Sequence, residues 1–87
     1  MTVFFKNKKM EPFLVTVEPS DVDAETHKNA HSGQEINYIL DGSMTVFVED
    51  QQVLMNPGDT IMFDSKHPHA MRAENGKPCH FLAIIAN

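Results

Sequence analysis

The sequence predicts a single all-β domain, a sandwich or barrel of seven or eight short antiparallel strands. Turn-forming residues recur at short intervals, and β-branched and aromatic residues are concentrated between them. No stretch of ten or more residues repeats its apolar positions with the period of a helix, so no long helix is expected. With 87 residues the chain has room for one hydrophobic core.

The strongest turn signal in the chain is Asp41-Gly42, a pair typical of two-residue hairpin turns. Runs rich in apolar and β-branched residues, 36–40 and 44–48, lie on either side of this pair. We therefore predict that these two runs form an antiparallel hairpin.

The remaining strands are predicted where other β-rich runs lie between turn residues. Pro12 and Pro19 enclose the first of these runs, and the polar residues 20–33 are expected to form a loop that becomes extended near His27. The further predicted strands are 13–17, 52–55, 60–63, 70–73 and 79–85. The barrel domain is predicted to cover residues 11–87, with residues 1–10 as a candidate N-terminal arm.

Composition and charge exclude several classes of protein. The 12 acidic and 7 basic residues give a formal net charge of -5, which repels a phosphate backbone, so the domain is not expected to bind nucleic acid itself. No apolar run is long enough to span a membrane, and the first ten residues lack the apolar segment of a secretory signal. We therefore expect a cytoplasmic protein without a membrane partner. The single cysteine, Cys79, is predicted to be a buried thiol.

Large apolar residues on the predicted strands are expected to form the core, because such residues usually pack against the opposing sheet. Met71 has the same strand parity as His69, so it is also a candidate for lining a ligand pocket. The predicted core residues are Met44, Phe47, Met55, Met62, Phe63, Met71 and Phe81.

Potential metal ligands occupy alternate positions in one short segment, at His27, Asn29, His31 and Glu35. Residues two apart on an extended strand project from the same face, so these side chains can point into one cavity together with His69 from a distant strand. Two neutral imidazoles and a carboxylate suit a divalent transition metal such as Fe, Mn, Ni, Cu or Zn. We predict that His31, Glu35 and His69 bind this metal and that His27 is a candidate fourth ligand.

Two further residues are candidates for lining the same pocket. Asn29 offers a neutral amide oxygen, and Tyr38 offers a phenol that can hydrogen-bond a ligand. The residues leave one alternative open, a metal-free polar pocket in which His31, Glu35 and His69 act only as hydrogen-bond partners.

The segment from His31 to Gly42, HSGQEINYILDG, resembles the first conserved motif of the cupin superfamily. Pro57-Gly58-Asp59 and Pro68-His69 resemble its second motif. The resemblance implies a double-stranded β-helix, the jelly-roll barrel of short antiparallel strands. This chain has Asn29 where the first motif usually has a histidine, so the usual set of four ligands is incomplete.

Within the superfamily, the chain is most similar to the sensor-type cupin domain found with helix-turn-helix domains in bacterial transcription regulators. This resemblance implies a module that binds a divalent metal, a small molecule or both, and that transmits binding to a partner. The alternative is a metal-dependent enzyme, a dioxygenase, isomerase or lyase, so whether the protein is an enzyme stays open. A homodimer is expected, because small cupins resembling this chain pair through an N-terminal strand, here residues 13–17.

Overall fold

The computed structural model describes residues 10–20 and 30–86, and its regular structure in these ranges consists of antiparallel β-strands. One sheet has four strands in the order β1-β7-β2-β5, and the other has three in the order β4-β3-β6. The two sheets confirm the predicted all-β jelly-roll architecture. The strands are β1 (Met10–Val17), β2 (Gln34–Asp41), β3 (Met44–Val48), β4 (Gln51–Met55), β5 (Thr60–Asp64), β6 (His69–Ala73) and β7 (Cys79–Ala86).

The predicted hairpin at Asp41-Gly42 is wrong, although both of its strands exist. β2 pairs with β5 and β7, whereas β3 pairs with β4 and β6. The turn therefore carries the chain from one sheet to the other. Local turn chemistry specifies that the chain reverses, but the burial of both inner faces decides which strands pair.

Gly42 is required in this turn for two physical reasons. Its φ is +78°, in the left-handed region that favours glycine, and a Cβ at this position would stand 2.3 Å from the carbonyl oxygen of Pro78. The connection between the two sheets thus packs directly against the turn that precedes β7.

β1 begins at Met10, earlier than the predicted start at Phe13, and so includes Pro12. Proline has no N–H to donate to a sheet, which restricts it to positions where no donor is needed. β1 is at the edge of its sheet and pairs with β7, where Pro12 lies opposite Ile84. The edge position accounts for a proline inside the strand.

The core is formed by side chains from β2, β3, β4 and β7. Met62, which was predicted to belong to this core, is 65% exposed. Side chains alternate along a strand, so Met62 lies on the outer face of β5 while its neighbours Ile61 and Phe63 pack against the core. The buried cluster consists of Ile39, Met44, Val46, Met55, Cys79, Phe81 and Ala83.

The burial of Cys79 raises the pKa of its thiol, and the nearby Asp41 carboxylate adds to that effect.

No helix within the described ranges is long and apolar enough to cross a membrane.

Candidate metal centre and adjoining cavity

Three different parts of the chain supply the residues of the candidate metal centre. Glu35 is the second residue of β2, His69 is the first residue of β6, and His31 precedes β2. Backbone hydrogen bonds hold the His31 segment against the loop after β5. The N–H of His31 donates to the carbonyl of Ser65 at 2.9 Å, and the N–H of Ser65 donates to the carbonyl of Gly33 at 2.8 Å.

The side chains of His31, Glu35 and His69 converge within this frame. The Nε2 atoms of both histidines lie 3.4 Å from the same carboxylate oxygen, Oε1 of Glu35. One ligand atom from each residue lies within 4.8 Å of the other two. The two imidazole rings meet edge to face, with their centroids 5.0 Å apart. The structure thus brings together the three residues that the sequence predicts as metal ligands.

Backbone carbonyls fix the orientation of both imidazoles. Nδ1 of His69 donates to the carbonyl oxygen of His67 at 2.8 Å, and Nδ1 of His31 donates to the carbonyl oxygen of Ser32 at 3.2 Å. Because a carbonyl oxygen only accepts hydrogen bonds, each Nδ1 carries a proton. This leaves the Nε2 atom of each ring facing Glu35, and Nε2 is the atom that a neutral imidazole with its proton on Nδ1 offers to a metal ion.

The donor set fits a divalent transition metal. Nitrogen and oxygen ligands about 2.0 to 2.2 Å from one ion lie roughly 3 to 3.5 Å from each other, which matches both separations from Glu35 Oε1. The Glu35 and His69 side chains are each only 6% exposed, and a bound cation would compensate the charge of the buried carboxylate. Two imidazoles and one carboxylate leave coordination positions for water or a ligand.

A cavity of about 540 Å³ adjoins these three residues. Met71 lines it, as the strand parity with His69 predicted. β1 and β7 provide an apolar wall in the same sheet as Glu35, which lies beside the wall residue Ile85. The residues of this wall are Phe13, Val15, Val17, Phe81, Ala83 and Ile85.

The wall formed by β1 and β7 was missed in the sequence, although a signal for it was present. Its members are the odd-numbered residues of 13–17 and 81–85, and side chains that alternate in this way share one face of a strand. Parity groups residues within one strand only, so the pairing of β1 with β7 is needed to show which faces form one wall.

The prediction that Tyr38 lines the pocket needs correction. Tyr38 is 42% exposed, whereas its neighbours Asn37 and Ile39 are buried. Glu35 shares the parity of these buried neighbours, so Tyr38 projects from the opposite face of β2. The predicted residues His27 and Asn29 lie outside the described ranges.

Comparisons with known proteins identify the fold. A family model described as "Cupin domain" matches residues 13–85. A search of curated proteins found no match.

Solved structures with a similar fold come from regulators and from an enzyme. The cupin domain of an XRE family transcriptional regulator from Enterobacter cloacae superposes with a TM-score of 0.80 at 19% identity, covering 95% of this chain and 86% of that one. An HTH_3 family transcriptional regulator from Vibrio cholerae gives 0.73 at 24% identity, covering 100% and 48%. Hydroxypropylphosphonic acid epoxidase from S. wedmorenis gives 0.77 at 23% identity, covering 88% and 43%.

The chain thus spans less than half the length of the epoxidase and of the Vibrio cholerae regulator. At sequence identities of 19 to 24%, the similarity of these structures to this chain concerns the fold alone. The family model, in contrast, covers nearly the whole chain and includes His31, Glu35 and His69. With its two antiparallel sheets and its match to the cupin model over residues 13–85, this protein is a member of the cupin family.

Proposed function

We propose that this cupin domain binds one divalent transition metal ion through His31, Glu35 and His69, binds a small molecule in the adjoining cavity, and acts as a ligand-sensing module. The observation that carries the proposal is the convergence of two Nε2 atoms on one buried carboxylate oxygen, each at 3.4 Å. The cytoplasmic location expected from the sequence is part of the same proposal.

Each residue of the group has a distinct role. Glu35 supplies the negative charge that offsets the ion, and the two histidines supply neutral nitrogen ligands. The carbonyl of His67 holds the ring of His69 in place, so little entropy is lost when the metal binds. A small molecule in the cavity would reach the open coordination positions directly.

A metal-dependent enzyme is the second candidate function. Two histidines and one carboxylate with open positions can activate a bound molecule, and the similar epoxidase structure shows that this fold can house an enzyme. We favour the sensing module because the other described residues that line the cavity are apolar. The three candidate ligands are the ionisable groups among them, so a separate proton-transfer residue is lacking in this described lining.

The proposal is tested by metal titration of the protein without a histidine tag, after treatment with a chelator. We expect one equivalent of Co²⁺ or Zn²⁺ per chain by calorimetry and elemental analysis. Glu35→Gln preserves size and removes the charge, so we expect it to weaken binding by about tenfold or more. His80→Gln is the matched control, because the His80 ring instead contacts Thr16 Oγ1 at 2.9 Å.

Two results would refute the metal site. One is a wild-type protein that binds no metal, which would favour the metal-free pocket in which the imidazoles act as hydrogen-bond partners of Glu35. The other is a folded Glu35→Gln variant that binds as tightly as the wild type. Circular dichroism and thermal melts establish that each variant is folded.

We also propose that the protein is a homodimer. The supporting feature is the outer face of the four-stranded sheet, where two rows of paired residues are almost entirely apolar. One row is Leu14, Leu82, Tyr38 and Thr60, and the next is Pro12, Ile84, Ile36 and Met62. We call these eight residues the outer apolar face. Leu14 is 76% exposed and Met62 is 65% exposed, and soluble monomers rarely leave such a patch uncovered.

A further inference from the structure

We infer that the small molecule bound in the cavity is a monocarboxylate with an aliphatic or aromatic body. Its carboxylate would bind at the metal, and its body would lie against β1 and β7. This inference rests on the proposed metal site and adds the chemical class of the ligand.

The shape and polarity of the cavity require a ligand with one polar end. Val15 on β1 lies opposite Phe81 on β7, and Phe13 lies opposite Ala83, so neighbouring rows of the paired strands form one continuous apolar wall. The polar groups that line the cavity are confined to His31, Glu35 and His69 among the described residues. A molecule with an apolar body and a single polar head satisfies both regions.

The charge of the site selects a head group with one negative charge. A metal ion that occupies both Nε2 lone pairs is bound by two neutral imidazoles, so a divalent ion with the Glu35 carboxylate would carry a net charge of +1. One carboxylate neutralises that charge and supplies oxygen ligands that suit a transition metal. A dianionic head would leave an uncompensated negative charge beside apolar side chains, which is costly in a medium of low dielectric constant.

The size of the cavity is adequate for such a ligand. Its volume of about 540 Å³ is within the usual range for small-molecule sites, roughly 300 to 1,000 Å³. Each methylene group that leaves water for the apolar wall should strengthen binding by roughly fourfold. Affinity should therefore rise with chain length until the cavity is filled.

The test uses cobalt-loaded protein titrated with acetate, butanoate, hexanoate, octanoate and octanedioate. Calorimetry gives the affinities, and the visible spectrum of the bound cobalt reports whether the carboxylate reaches the metal. We expect octanoate to bind at least about a hundredfold more tightly than acetate and to change the spectrum. Octanedioate has the same number of carbons and a second charge, so we expect it to bind about tenfold or more weakly than octanoate.

Two variants of β1 separate the apolar wall from the metal site. Val15→Asp places a charge in the wall, so we expect it to weaken octanoate binding by about tenfold or more relative to acetate binding, which depends on the same head group but not on the wall. Thr16→Asp introduces the same charge at the neighbouring, exposed position, and we expect it to leave octanoate binding unchanged.

The outcomes distinguish failure of this inference from failure of the proposed function. Cobalt binding with equal affinities for acetate and octanoate would overturn the ligand class and leave the metal site intact. A folded Val15→Asp variant that weakens octanoate binding no more than acetate binding would overturn the assignment of the wall. A protein that binds no cobalt would overturn both the metal site and this inference.

Discussion

Thr45 and Arg72 both donate hydrogen bonds to the same carboxylate oxygen of Glu74. Thr45 Oγ1 donates to Glu74 Oε2 at 2.5 Å, and Nε of Arg72 donates to the same atom at 3.0 Å. The Arg72 guanidinium also lies over the ring of Phe47, 5.1 Å from its centroid. The hydrogen bond from Thr45, with a further contribution from Arg72, holds the pKa of Glu74 below its usual value despite partial burial.

The lowered pKa predicts how stability depends on pH. A carboxylate with a depressed folded-state pKa stabilises the protein above its unfolded value, near 4.5, and this contribution is lost as the pH falls through the folded value. We expect Glu74→Gln to lower the free energy of unfolding by about 1 kcal/mol at pH 7 and by progressively less as the pH falls from 5 towards 3. Urea unfolding at pH 7, 5, 4 and 3 measures this difference.

Thr45→Val is the companion variant, because it removes the main hydrogen-bond donor with little change in side-chain shape. It should lose part of the same pH-dependent stability. An effect of Glu74→Gln that is as large at pH 3 as at pH 7 would contradict this account of Glu74.

At the scale of single strands, the turn formed by residues 41–43 shows what the sequence could predict and what it could not. Alternating apolar residues and turn signals were sufficient to place the strands on either side of Asp41-Gly42. The pairing of those strands depends on contacts with β5, β6 and β7 that no local pattern records. For the same reason, the sequence indicates where the strands lie but does not indicate which strands pair with each other.

The candidate metal centre was more predictable than the strand pairing. His31 and Glu35 are four residues apart in one segment, and the residues alone, without the cupin resemblance, assign His69 to the same cavity from a distant strand. Tyr38 was misplaced because it lies on the opposite face of the strand from Glu35. The fully buried polar residues Asn37 and Ser65 were missed, since burial of a polar side chain has no local sequence signal.

Substitution of Gly42 tests the account of the turn between the sheets. We expect Gly42→Ala to lower the free energy of unfolding by about 3 kcal/mol, since a Cβ would clash with the backbone at Pro78 and the residue has a positive φ. Gly76→Ala is the matched control. Gly76 has a φ of +65° but nothing within 4 Å of an added Cβ, so we expect a cost of about 1 kcal/mol.

Chemical denaturation of both glycine variants provides the comparison. Equal losses of stability would show that backbone conformation alone determines the cost at Gly42. The close packing of the 41–43 turn against the turn before β7 would then have no energetic role.

At the scale of the whole molecule, the outer apolar face is large enough for a dimer interface. Strands spaced by about 4.8 Å, with a rise of about 3.3 Å per residue, give the four-stranded sheet a face of roughly 450 Å² in projection. Side chains make the accessible area larger than this projection, so two copies would bury on the order of 1,000 Å² or more in total, enough for a specific interface. The four-stranded sheets of two copies would pack face to face, and twofold symmetry would bring the same residues of both copies into contact.

A charge placed on this face should separate the two copies. We expect the wild type to sediment as a dimer at micromolar concentration and Met62→Glu to sediment as a monomer, because the substitution buries a charge at the interface. Leu54→Glu is the matched control. Leu54 is 58% exposed but belongs to β4 in the other sheet, so we expect this variant to stay dimeric.

A monomeric wild type would refute the dimer. Dissociation by Leu54→Glu to the same extent as by Met62→Glu would move the interface away from the outer apolar face. Either result would leave the proposal for His31, Glu35 and His69 unaffected.

The central claim is that His31, Glu35 and His69 hold one metal ion in common. An anomalous difference map, recorded at the cobalt edge from crystals of cobalt-loaded protein, tests it most directly. We expect one peak per chain, about 2.0 to 2.2 Å from both Nε2 atoms and from a carboxylate oxygen of Glu35. Crystals that contain cobalt but show no peak among these three side chains would contradict it.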